Sequence, residues 1–150
     1  MIPKRLVVLL AASFAMSSAV AQSPKPEDQI KLRKAAYALM GYSFGGIAGM
    51  AEGKRPYSKD AAIRYADLLV QVSTVPRNFF GEGTDKGETR AKPEIWTHRD
   101  DFDEKMEKMV NEVAKLPAVT RTGDMDALKA AAKSTSDACG ACHDDYRVKR

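Results

Sequence analysis

The chain has 150 residues and a formal net charge of +4. Residues 1–21 contribute Lys4 and Arg5 and no acid, so the rest carries +2, with lysines and acids interleaved rather than clustered. That pattern excludes a nucleic-acid footprint, and the length suits one small domain with a modest core that a covalent prosthetic group would strengthen.

Residues 1–21 read as a secretory signal peptide. Lys4 and Arg5 precede the apolar run LVVLLAASFAM, and Ala19-Val20-Ala21 supplies an A-x-A cleavage site. The run is too short and too poorly flanked for the rival reading, an uncleaved membrane anchor, and no second run of spanning length follows. The mature chain, 22–150, is expected to begin near Gln22 and to be exported and soluble.

The first predicted helix opens at Pro26, with Glu27 and Asp28 behind it. Proline lacks an N–H that would be orphaned there, and acids suit a helix N-terminus. Ile30, Tyr37 and Phe44 recur every seven residues, with Met40 and Ile47 filling in, which makes one apolar face. Gly41, Gly45 and Gly49 recur every four, each at about 1 kcal/mol relative to alanine. Either the helix frays there or a smooth face admits another helix, in the bundle or in a partner. Gly53 and Pro56 close the segment.

Ser58 is expected to cap a second helix with Ile63, Ala66, Leu69 and Val70 as its buried stripe, ending at Pro76. VPRNFFGEGTDKGETRAKPEIW is then a long connection, of a length uncommon without a function or local helical turns. A third helix is predicted from about Pro93, carrying Trp96, Phe102, Met106, Met109, Val110 and Val113. Its methionines read as core fillers, Trp96 as core and His98 as surface. Pro117 and Gly123 mark the next break. Asp124 caps a fourth helix with Leu128, Ala131, Thr135, Ala138 and Cys142 on its stripe. Four amphipathic helices and no alternating strand predict an all-α four-helix bundle.

Both cysteines of the chain lie in CGACH, residues 139–143. On a helix, Cys139, Cys142 and His143 share one face. Cys-x-x-Cys-His is the attachment signature of c-type haem: two thiols add to the two vinyl groups on one porphyrin edge, and the following imidazole ligates iron. The small residues Gly140 and Ala141 leave that edge unobstructed. A disulfide across this spacing would close a tiny strained ring. A thioredoxin-like pair belongs beside a βαβ pattern, which is absent from the sequence. A zinc site would need His98 as well, with Cys142 and His143 as awkward adjacent ligands.

With KPEDQIKLR opening the first helix, ALM further along it, RAKPEIW before the third and CGACHDDYR at the end, the mature chain resembles the cytochrome c′ family of class II c-type cytochromes. That family is a standing example of the antiparallel up-down-up-down bundle, with its covalent haem near the C-terminus. The resemblance implies one covalent haem c per chain, held by Cys139 and Cys142, with His143 as the iron ligand. It implies that Tyr37 covers the opposite haem face, that Arg33 meets a haem propionate and that Arg147 is the basic neighbour of His143. It implies a homodimer through the first two helices.

The function implied is that of a periplasmic haem protein, five-coordinate and high-spin, binding small gases such as nitric oxide and carbon monoxide. Its role would be nitric oxide buffering or scavenging, with electron-transfer capability toward an unidentified redox partner. The rival is a low-spin electron carrier with Met40 as sixth ligand. An enzymatic role such as peroxide reduction ranks last, because no distal histidine or acid–base pair is visible.

Overall fold

Residues 24–149 are described by the structure, a computed structural model. The signal-peptide reading of residues 1–21 lies outside them. Helix α1, Pro26–Ala51, starts where expected: Pro26 is its first residue, Glu27 and Asp28 sit in its first turn, and the amides of Asp28 and Gln29 donate to Lys25 O. Ile30, Arg33, Ala36, Met40, Ser43, Ile47 and Met50 are buried at intervals of three and four, so the face is continuous although two of its members are polar. Helix α2, Lys59–Ser73, is capped by Ser58, whose side chain accepts from Ala61 N. Ala62, Ala66, Leu69 and Ser73 are its buried residues, while Ile63 and Val70 are half-buried, so the stripe is rotated by one position from the predicted one.

The long connection contains local helical turns, a 3₁₀ segment at Pro76–Phe79 and a short helix α3, Glu94–Thr97. The third predicted helix is interrupted at His98, where the backbone leaves the helical region, and resumes as α4, Arg99–Thr122. Pro117 was expected to break the chain and instead lies inside α4. An interior proline costs about 3 kcal/mol, but Val113, Leu116 and Thr120 are all buried on either side of it, and their packing outweighs that cost. Gly123 does end α4, at φ +79, a left-handed cap that glycine adopts without strain. Asp124 then caps α5, Met125–Tyr146, accepting from Asp126 N and Ala127 N.

Helix α1 packs on α2, α2 on α4, α4 on α5, and α5 returns to α1. The chain ends of these helices share one end of the molecule. Arg33 near the start of α1 bonds Phe79 O just after α2, and Phe80 packs edge-on to Phe102 at the start of α4 (4.8 Å). Phe102 in turn meets Tyr146 at the end of α5 (5.4 Å). The directions therefore alternate, giving the up-down-up-down four-helix bundle, with α3 as an added turn. Among the described residues there is no strand, only an isolated bridge between Ala91 and Arg147. No described helix is long and apolar enough to cross a membrane.

Inside the bundle, the close helix approach falls beside the predicted glycine series rather than on it. Gly41 and Gly45 face open space, whereas the close approach is at Gly46, where a Cβ would lie 2.4 Å from the Tyr65 ring of α2.

Candidate functional site

The last three turns of α5 bring Cys139, Cys142 and His143 to one half-buried face, and all three line a cavity of about 900 Å³. That size lies in the range of small-molecule and cofactor sites. Both thiols are free. Burial pushes Cys139 up, against a smaller opposing effect of Arg147, and burial with the neighbouring Cys139 pushes Cys142 up to about 11. Thiols raised in this way are poor candidates for an activated redox pair, and among the described residues no group of three or more His, Cys, Asp or Glu side chains is gathered to hold a metal ion. His143 is held below the usual histidine value by burial, by Arg147 and by Arg90. Its ring is therefore neutral and keeps a lone pair for a metal. Arg147 Nη1 lies 3.4 Å from His143 Nε2, and the Arg147 amide donates to His143 O.

Helix α1 contributes Tyr37, Met40 and Phe44 to the same lining, and α4 contributes Met106 and Met109. The Tyr37 hydroxyl lies 3.8 Å from Met106 Sδ. Burial, then the nearby Cys142, pushes the Tyr37 phenol well above its ordinary value, so it remains neutral. A neutral phenol is a poor iron ligand, unlike a tyrosinate. Glu88 is the acidic residue of the lining, and its side chain is almost fully exposed at the rim. Among the described residues the lining thus offers His143 and Glu88 as its histidine and carboxylate, the latter at the exposed rim.

The rim is cationic: Lys34, Arg90 and Arg147 contribute to the lining, with Arg33 buried behind them. Arg90 is fixed by donating from Nε and Nη2 to Val148 O. Arg33 is buried, and three of its donors go to neutral oxygens of the 79–89 segment. A guanidinium has five N–H donors, so two remain uncommitted among the described residues. Apolar walls, two thiols one helical turn apart at one edge, a neutral imidazole next to them and cations at the rim are together the features a haem with two carboxylates requires. The residues fit that group.

All six predicted site residues, Arg33, Tyr37, Cys139, Cys142, His143 and Arg147, line this one cavity, as does Met40. His98 does not. It is exposed, with its ring against Thr97 Oγ1, and does not complete a zinc set with the α5 residues. Trp96 packs against the core as expected. Met106 and Met109 are buried as expected but also face the cavity, which helical spacing alone does not reveal. Thr89 and Arg90 reach the rim only because the long connection folds back over α1, and no local pattern in the sequence signals that.

A sequence model of the family described as Cytochrome C' matches residues 28–147. The cytochrome c' of Rubrivivax gelatinosus is 40% identical over 129 residues, covering 85% of this chain and all of that protein. Among solved structures, cytochrome c prime from Shewanella frigidimarina superposes with a TM-score of 0.82 at 34% identity, covering 85% of this chain and all of the other. The nitric oxide complex of a point mutant of cytochrome c prime from Alcaligenes xylosoxidans gives 0.77 at 36% identity, again over 85% and 100%.

Proposed function

Because the chain belongs to the cytochrome c′ family, whose members carry one covalently attached haem c per chain, we propose that it is an exported, periplasmic haem protein that binds small gases at a five-coordinate, high-spin iron. Cys139 and Cys142 form the two thioethers and His143 supplies the protein ligand. The remaining Arg33 donors, with Arg90, would meet the propionates, and Arg147 is the basic neighbour of His143. The bound haem supplies the iron that takes nitric oxide or carbon monoxide. The chain's own residues orient it, keep His143 neutral and exclude water with an apolar wall.

The observation that carries this reading is the neutral Tyr37 of α1, which lines the cavity that the α5 thiols share and lies against Met106. It covers the far side with bulk and offers no good ligand. The nitric oxide complex of a point mutant of the relative from Alcaligenes xylosoxidans supports the same ligand class here. Nitric oxide buffering or scavenging, with electron transfer as a secondary capability, is the role that follows. A homodimer is supported by the apolar side chains left exposed on α1, Leu32, Leu39 and Tyr42, the last stacked edge-on against Tyr65 at 5.4 Å.

One observation favours the low-spin electron carrier instead. Met40 is buried and lines the same cavity. The optical spectrum of the ferric protein decides. A high-spin spectrum unchanged by Met40→Ala is the expected result; a methionine–sulfur charge-transfer band abolished by Met40→Ala would replace the gas-binding reading with the carrier.

A further inference from the structure

Arg33 is 2% exposed, and every partner it has among the described residues is neutral. Nη1 donates to Phe79 O at 2.9 Å, and Nη2 donates to Thr84 O and Thr89 Oγ1, both at 2.6 Å. The guanidinium also lies over Phe80, 4.6 Å from the ring centre. A buried ion without a counter-ion is costly and persists only when its donors are satisfied. Burial lowers its pKa, but a guanidinium stays protonated in any protein. The charge is therefore permanent.

The three oxygens come from the beginning, middle and end of the 79–89 segment. Gln29 adds to the same seam, its Oε1 accepting from Gly81 N, and Trp96 Nε1 donates to Gly81 O. One planar fork thus pins a strap whose last residues, Thr89 and Arg90, form part of the cavity rim. Lysine has the charge but not the fork.

We propose that Arg33 is a positioning residue that raises the reduction potential of the haem iron, acting as a fixed buried cation while it clamps the strap. Reduction adds one electron to the cavity. A positive charge in a low-dielectric wall stabilises the reduced state, and more so than the exposed cations at the rim, which solvent and salt screen. The effect rests on the proposed haem occupying the cavity; a propionate reached by the two uncommitted donors would offset part of the field, and removing the cation would still lower the potential.

The test is a spectroelectrochemical titration of covalently loaded wild type, Arg33→Gln and Arg33→Lys, with amide hydrogen exchange across residues 82–90. Arg33→Gln should shift the ferrous-to-ferric ratio at fixed potential about tenfold toward ferric, which is about 59 mV for one electron. Arg33→Lys should hold the potential near wild type while strap exchange quickens, because charge remains and the fork is lost. An unmoved potential in Arg33→Gln overturns the proposal. So does a fall in Arg33→Lys as large as that in Arg33→Gln, which would trace the potential to strap opening. Should Arg33→Gln yield no holoprotein, Arg33→Lys decides: a loose strap with the potential held supports the proposal, and a loose strap with a tenfold shift overturns it. Failure of haem attachment shows separately, as missing covalent haem absorbance.

Discussion

The α5 wall of the cavity carries its chemistry in five consecutive residues, whereas the α1 wall is assembled from side chains a turn or more apart and carries almost none. Cys139, Cys142 and His143 are half-buried and polar, with Arg147 against the imidazole. Tyr37, Met40 and Phe44 face them with rings and a thioether, backed by Met106 and Met109 from α4. On the proposed reading, the first wall would fix the prosthetic group and the second would decide which ligand reaches it. A change in the first should act on haem content, and a change in the second on ligand access or stability.

The largest effect is expected on the α5 side. Replacing Cys139 and Cys142 together by serine should remove nearly all covalent haem, measured by acid denaturation and solvent extraction of exported protein. Haem that passes into the organic phase from the wild type would show that the thiols are not its attachment points. Tyr37→Phe should keep full haem content, since both proposed thioether attachments lie on α5.

On α1 itself the packing contrast is sharper at the glycines. Gly46→Ala drives a methyl against the Tyr65 ring and should destabilise by about 1–3 kcal/mol, the usual range for overpacking. Gly45→Ala meets nothing within 4 Å and should stabilise by up to about 1 kcal/mol through helix propensity. Urea unfolding of the two holoproteins measures both. A concentration-dependent loss in Gly45→Ala would reveal a second helix seated on that face.

The smallest effect lies where the α5 wall is anchored. The Tyr146 hydroxyl donates to the Asp101 carboxylate and lies 3.5 Å from His98 O. The hydrogen bonds from Tyr146 and Lys105 hold Asp101 below the ordinary carboxylate range. A lowered folded-state pKa stabilises above the unfolded value and loses that contribution as the pH falls through the folded one. Tyr146→Phe should therefore be slightly less stable near neutrality, with the difference closing in acid. A gap that widens in acid would place the contribution elsewhere.

This asymmetry also explains what the sequence could reveal. The α5 wall was legible because its spacing is local: a helix and the pattern Cys-x-x-Cys-His place three side chains without any tertiary information. The repeat of Ile30, Tyr37 and Phe44 likewise gave the inward face of α1. Arg33 was expected to meet a propionate, but its burial under the 79–89 strap depends on contacts 46 to 56 residues away in sequence. Met106 and Met109 were read as core only, because one stripe serves both the core and the cavity. Pro117 misled because its local penalty is outweighed by burial of neighbours that only the assembled bundle provides. Gly46, rather than the regular series around it, marks the close helix approach, which only the position of Tyr65 reveals.

The central claim is that Tyr37 covers the iron face opposite His143 and controls ligand entry by bulk. Carbon monoxide association with the ferrous wild type, Tyr37→Phe and Tyr37→Ala, followed by flash photolysis, tests it most directly. The account predicts that Phe binds close to the wild-type rate and that Ala binds at least about tenfold faster, a barrier drop of about 1.4 kcal/mol. Equal rates for wild type and Tyr37→Ala would contradict it, leaving Tyr37 a core aromatic and moving ligand control elsewhere in the α1 wall.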